Sequence, residues 1–238
     1  AVLGATWALL NPLVLMVIFT LIFGAIAKIK PPQGVPYPVF SYVALVPWAL
    51  FAGSLAYGAT SVISNGSIIR KVYCPREAFP VAATLGAGFD FLASSVVLIG
   101  MLLAYGYFPQ LTWFAALGLL GVLFILTLAL TMLVSILTAF YRDTRYGVPL
   151  LIQVLLFATP VGYPIEKFTE GAFSSLLKTL YVYGNPLTPL INGIRQAVIY
   201  GRWPEAGPTW AATGVAVGLL LVTYWFFKRK DALISDVT

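Results

Sequence analysis

The sequence predicts an all-α integral membrane protein: six transmembrane helices, a short amphipathic helix on the cytoplasmic side, and two short re-entrant helices on the outer side between spans five and six. Three observations lead there. Only 9% of the residues are charged and 60% are apolar, whereas a soluble domain carries about 25% charge. The mean hydropathy is +0.93. Apolar stretches also recur at the length a bilayer demands, about 20 residues for a hydrocarbon core of roughly 30 Å. A chain of 238 residues holds about six such helices with their connections and reads as one transmembrane domain, 1–238.

The first span covers residues 10–27 and closes at Lys28, Lys30 and the breaker Pro31-Pro32. The second covers 39–63 with Pro47 inside it, and a polar stretch carrying Arg70, Lys71 and Arg76 follows. The third, 79–105, is interrupted by one acid, Asp90. A turn near Pro109 leads to the fourth, 113–139, and then to Tyr141-Arg142-Asp143-Thr144-Arg145. The fifth, 148–163, is short and has Pro160 near its end; the sixth, 210–227, closes on Lys228-Arg229-Lys230. Between these two lie apolar pieces at 172–183 and 187–200, too short to cross. That length suits re-entrant or surface-lying helices, and partial insertion is the expectation.

Lys and Arg set the orientation. Arg70, Lys71, Arg76, Arg142, Arg145, Lys228, Arg229 and Lys230 fall in one set of loops; Lys28, Lys30, Lys167, Lys178, Arg195 and Arg202 fall in the other. The first set is roughly twice as dense, which places it in the cytoplasm under the positive-inside rule. Both termini are then cytoplasmic and the short pieces 172–183 and 187–200 face outward. The net charge of +6 is accounted for by these loops, with no nucleic-acid partner.

With one cysteine, Cys74, and no histidine, an intrachain disulfide and a His/Cys zinc site are excluded. Histidine acid–base chemistry is excluded with them. No G-x-x-x-x-G-K-S/T phosphate loop occurs, and no D-x-D. We expect no catalytic residue, no metal site and no cofactor bound by this chain.

Residues 67–76 alternate apolar and basic side chains and stop at Pro75, as a docking helix for a cytoplasmic partner would, or an ordinary basic loop. Asp90 sits near the middle of its span, where a carboxylate is costly unless paired or hydrated. It faces a polar conduit or proton path, or it is a packed, hydrogen-bonded acid. Phe19 and Phe23 share a helix face. These two, with Phe157 and Tyr163, offer aromatic surfaces suited to the C–H faces of sugars, or else to lipid and helix packing. Trp48, Trp113 and Trp210 sit near span ends, where interfacial belts form. Gly214 and Gly218 form a G-x-x-x-G that permits close helix contact.

Several stretches together resemble one family. Leu3-Gly4-Ala5-Thr6-Trp7 with Pro12-Leu13 looks like an L-G-x-x-W-x-x-x-x-P-L entry to the first helix. Lys71-Val72-Tyr73-Cys74-Pro75-Arg76 resembles K-V-Y-F-P-R. Tyr141-Arg142-Asp143-Thr144-Arg145 resembles Y-R-D-x-R, Pro160-Val161-Gly162-Tyr163-Pro164 resembles P-V-x-Y-P, and Asn185-Pro186 with Arg195 resembles N-P-x…R. In this order and spacing they resemble the permease subunit of type-2 ABC exporters, in the branch that moves O-antigen, capsule or teichoic-acid polysaccharides.

The resemblance implies a permease homodimer in the bacterial cytoplasmic membrane, bound to two ABC ATPase subunits that hold ATP and magnesium. It implies a lipid-linked polysaccharide passing between the two copies. Ser67, Ile68, Ile69, Arg70, Lys71, Val72, Tyr73 and Arg76 would couple to the ATPase, and Tyr141, Arg142, Asp143 and Arg145 would form the second cytoplasmic loop. Phe19, Phe23, Trp48, Phe51, Phe157 and Tyr163 would line the conduit. Pro160, Tyr163, Asn185 and Arg195 would form its outer gate. Members begin with an interfacial helix ahead of L-G-x-x-W; this sequence opens at that motif, so the helix is expected to be missing from it. Two further readings remain: a type-2 exporter of drugs or small lipids, and a proton-coupled carrier using Asp90.

Overall fold

The computed structural model describes residues 2–71, 74–169 and 174–237. Among the described residues every regular element is helical. The first helix, α1, runs Val2–Phe19 and continues as a widened π-helical stretch, Thr20–Ile26. A short turn at Pro32–Gly34 leads to α2, Tyr37–Ser64, then α3, Gly66–Lys71. Helix α4 is Ala78–Ala104, α5 is Trp113–Phe140 and α6 is Thr144–Ala158. The outer segment holds α7 (Glu166–Thr169), α8 (Ser175–Gly184) and α9 (Leu187–Ile199), and the chain ends in α10, Ala206–Val237.

Among the described residues five helices are long and apolar enough to cross a membrane: the α1 segment Leu9–Ile26, α2, α4, α5 and the α10 segment Ala206–Arg229. The expected fifth span, α6, has 15 residues and measures about 22 Å at 1.5 Å per residue. Residues 148–163 are mostly apolar, with Gln153 and Thr159 the exceptions, but the helix stops at Ala158. Thr159, ahead of Pro160, turns extended (φ −105°, ψ 143°), as the ring of a following proline requires. The remaining residues form an irregular corner.

Helix α2 is the spine of the bundle. Its apolar window is 78% buried, against 11% for α1 and 17% for α4. It packs on α1, α4, α5, α6 and α9. Helices α2 and α5 run parallel, because Gly58 meets Thr131 and Ser61 Oγ lies 3.1 Å from Ser135 Oγ. That seam has no room for a side chain at 58, a small-residue contact of the kind membrane helices use. At Gly214 and Gly218 of the G-x-x-x-G, by contrast, an added Cβ would meet nothing within 4 Å among the described residues.

The parallel arrangement sorts the loops. At one end Ile69 of α3 and Phe140, just ahead of the 141–145 turn, pack with Phe227 of α10 around Val62, Met132, Ile136 and Ala139. At the other end Tyr200 Oη donates to Pro32 O at 3.4 Å and Thr112 Oγ1 to Ala197 O at 2.7 Å. The densely basic loops therefore share one end, and the sparsely charged loops the other.

The two outer pieces differ. Helix α9 buries Leu187, Leu190, Ile191, Ile194 and Ala197 and packs against α5 and α2. Helix α8 buries none of its residues, leaving Leu176, Leu180 and Tyr183 exposed. Part of the 172–183 piece lies outside the described residues.

Candidate functional site

The residues expected to form an outer gate do meet. Arg195, on α9, is 1% exposed, and its Nη2 donates to Val161 O at 2.8 Å. Its guanidinium carbon lies 3.7 Å from the centre of the Phe40 ring. Its Nε and Nη1 have no hydrogen-bond partner among the described residues. Tyr37, at the head of α2, donates to the next carbonyl, Gly162 O. Two long-range donors thus clasp adjacent carbonyls of the Pro160–Tyr163 corner.

Gly162 is required at that corner, since a Cβ there would stand 2.9 Å from Phe19 Cε2 and 3.3 Å from Phe23 Cε2. Phe19 and Phe23 meet edge-to-face at 5.2 Å, so the aromatic pair on the first span docks on the end of the fifth. Tyr163 Oη donates to Phe157 O at 2.8 Å and lies 2.9 Å from Tyr181 Oη of α8. Asn185 closes the cluster: its Nδ2 donates to Thr159 Oγ1 at 3.0 Å and its Oδ1 accepts from Leu187 N at 3.1 Å. Pro160 is buried beside it.

The aromatic conduit residues do not share one open surface within this chain. Phe157 is 56% exposed on α6. Trp48 and Phe51 are buried with rings 5.2 Å apart. Trp48 borders a cavity between α1, α2 and α4, and Phe51 borders an apolar groove of about 560 Å³ flanked by α6, α8 and α10. Asp90 opens into the same cavity as Trp48, together with Asn11, Tyr57 and Ser94.

At the opposite end α3 presents Ser67, Ile68 and Lys71 to solvent, while Ile69 packs on the small core around Val62. The described helix ends at Lys71, ahead of the stop read at Pro75. The Arg70 side chain, Val72 and Tyr73 lie outside the described residues; Arg76 is half-buried nearby. Tyr141, Arg142, Asp143 and Arg145 are all exposed. Arg145 Nη2 donates to Tyr146 Oη at 2.6 Å and lies over its ring at 4.6 Å.

Sequence reasoning missed three features. Lys228 of α10 pairs with Glu77 at the head of α4. Burial raises the Glu77 carboxyl, but the Lys228 hydrogen bond, a backbone hydrogen bond and the Lys228 charge together outweigh it and hold that group below its ordinary value. The Tyr37 clasp and the polar ring around Asp90 were missed too. The glycine inside P-V-G-Y-P was the signal for the corner's tightness; nothing local marks the pairing of 77 with 228.

The chain matches the ABC-2 type transporter membrane family over residues 1–199. It is 31% identical to the O-antigen export system permease protein RfbA of Myxococcus xanthus, over 96% of this chain and 85% of that protein. A Klebsiella pneumoniae protein of the same name is 30% identical over 84% of this chain and 74% of its own length. The polysialic acid transport protein KpsM of Escherichia coli is 23% identical over 98% and 89%. With a family match across most of its length and helices of membrane-spanning size, this multi-pass membrane protein belongs to the ABC-2 type transporters.

Proposed function

We propose that the chain is the pore-forming permease of an ATP-driven exporter that carries a lipid-linked polysaccharide, of the O-antigen or capsule kind, across the bacterial cytoplasmic membrane. The observation that carries this reading is the likeness to O-antigen permeases over 96% of the chain. The chain is the non-catalytic transport subunit. An ABC ATPase subunit binds ATP and magnesium and supplies the driving force.

The geometry supports a homodimer. Helices α1 and α6 each leave a broad apolar face open: Val14, Val17, Ile18 and Leu21 on one, Leu150, Val154 and Phe157 on the other. A second copy placed against these faces would set a conduit between the protomers, with Phe157 at its wall and the clasped corner at its outer mouth. The basic end, with α3 and the 141–145 turn, would meet the ATPase in the cytoplasm, where both termini would lie. Basic side chains there also suit a phosphate-linked lipid carrier.

The test is reconstitution with the partner ATPase in liposomes. Polysaccharide should be exported only with ATP, and the double variant Arg70→Glu, Lys71→Glu should hydrolyse ATP without export. Normal export by the double variant would sink the docking role of α3. ATP-independent transport by the chain alone would sink the whole reading.

A further inference from the structure

Between α1, α2 and α4 lies a cavity of about 380 Å³. That volume is in the range of small-molecule sites, which pair apolar walls with a few placed polar groups. Aliphatic residues, Val14 and Pro12 of α1 among them, form its walls together with Asn11, Trp48, Tyr57, Asp90, Phe91 and Ser94. Trp48 and Ser94 are buried at its back, whereas Asn11 and Tyr57 are exposed at its mouth.

Depth follows from helix rise. Asp90 is about 18 Å along α4 from Ala78 at 1.5 Å per residue, and Tyr57 is about 10 Å from the end of α2. The cavity thus runs from mid-membrane toward the end that carries α3. A carboxylate held at that depth is costly and marks a functional site by default. Asp90 makes no ion pair or side-chain hydrogen bond with the described residues, and it borders the cavity.

The chemistry of the wall selects the occupant. Among the described residues no Lys or Arg lines the cavity, so a phosphate or another anion would face Asp90 without compensation from them. A divalent cation needs several oxygen ligands, and no cluster of acids among the described residues could supply them. A ring bearing hydroxyls fits both kinds of wall. Its O–H groups can donate to the Asp90 carboxylate, which accepts at both oxygens. Asn11 and Tyr57 can exchange hydrogen bonds with it, and its C–H face can lie on an aromatic ring. Charge-assisted hydrogen bonds of this type are roughly twice as strong as neutral ones.

We propose that the Asp90 cavity is a subsite for an uncharged sugar ring, holding one residue of the glycan in the inner half of the membrane while the charged carrier phosphate stays outside it. The inference rests on the polysaccharide reading for the presence of sugar at that depth. It assigns substrate contact to Asp90, Asn11 and Tyr57, in a cavity that shares α1 with the conduit and has no α6 residue among its described walls.

The experiment measures binding to the permease in nanodiscs, with empty nanodiscs subtracted. The probes are tritiated dodecyl glucoside and, as the anionic counterpart, tritiated dodecyl phosphate. Saturable glucoside binding is expected, weakened at least about tenfold by Asp90→Leu, several-fold by Asp90→Asn, and unchanged by Phe114→Ala, an exposed position on α5 outside the cavity. The near-isosteric Asp90→Asn keeps the test open if Asp90→Leu does not fold. Equal glucoside affinity in wild type and both Asp90 variants would overturn the proposal, as would phosphate binding as tight as glucoside. ATP-dependent export by the wild-type complex is measured alongside. Export without Asp90-dependent glucoside binding refutes the subsite and leaves the permease reading standing; absence of export strikes that reading instead.

Discussion

Replacing Gly58 by Ala tests whether the α2–α5 seam sets the spacing of the bundle. A Cβ at 58 would stand 2.1 Å from Thr131 Cγ2 and 3.4 Å from Thr131 Cβ. Carbon atoms meet comfortably at about 3.5–4.0 Å, so the two helices must part by more than an ångström or Thr131 must turn. Thr131 is fully buried, and the Ser61–Ser135 contact at 3.1 Å holds the same seam one turn on. Overpacking of this kind costs about 1–3 kcal/mol, and the better helix propensity of Ala returns about 0.5–1 kcal/mol. The net loss of about 1–2 kcal/mol lowers the midpoint by roughly 2–4 °C per kcal/mol for a chain of this size. The assay is thermal loss of the monodisperse peak in detergent, compared for Gly58→Ala, Thr131→Ser and the double variant. Thr131→Ser removes the clashing methyl, so the double variant should recover most of the loss, with a coupling of about 1 kcal/mol or more. A Gly58→Ala protein as stable as wild type, or a double variant with no recovery, refutes the argument.

Tyr37→Phe removes the donor to Gly162 O and leaves a buried carbonyl unpaired; the cost is about 1–3 kcal/mol, read as a lower melting point, and no shift would show that Tyr37 clasps nothing of consequence. Gly162→Ala drives a methyl into the Phe19 ring at 2.9 Å, so export in the reconstituted complex should fall several-fold while ATP hydrolysis persists; unchanged export would detach the corner from gating. Because the Glu77 carboxyl is held low, its pair with Lys228 stabilises the fold above the ordinary carboxylate range and is lost as pH falls through the lowered value. Being partly exposed, the pair contributes at most about 1 kcal/mol. Glu77→Gln should flatten that acid limb of the stability curve, and an unchanged limb would assign it to other groups.

Much of this was legible because the bilayer imposes simple rules. Charge density in the loops divided the chain into two sets, and the structure puts those sets at opposite ends. The corner was legible through the family resemblance alone: P-V-x-Y-P singled out Pro160 and Tyr163, N-P-x…R singled out Asn185 and Arg195, and the structure brings the two stretches together. Hydropathy cannot see how a helix ends, so α6 read as a span through Tyr163 although Pro160 forces the backbone out at Thr159. Nor can it rank burial among aromatics, so Trp48 and Phe51 were grouped with Phe157 although they face inward. The Glu77–Lys228 pair and the Tyr37 clasp join residues more than a hundred positions apart, and no local periodicity encodes them.

Helix α2 ties these parts into one mechanical argument. Its first residue, Tyr37, holds the Gly162 carbonyl of the outer corner. Its last turn runs through Asn65 directly into α3, where Asn65 Nδ2 donates to Ser61 O at 2.7 Å and its carbonyl accepts from Ile68 and Ile69. Between the two ends it carries Trp48 and Tyr57 on the Asp90 cavity and Gly58 on α5. Close-packed interiors transmit displacement instead of absorbing it. A push on α3 therefore reaches the corner by tilting α2 as a body or by bending it at Pro47, the one position in its interior whose backbone nitrogen cannot donate to the preceding turn. Either motion moves the Trp48 and Tyr57 walls of the cavity against Asp90 on α4, so an arrangement that couples the basic end to the outer corner cannot leave the cavity between them unchanged.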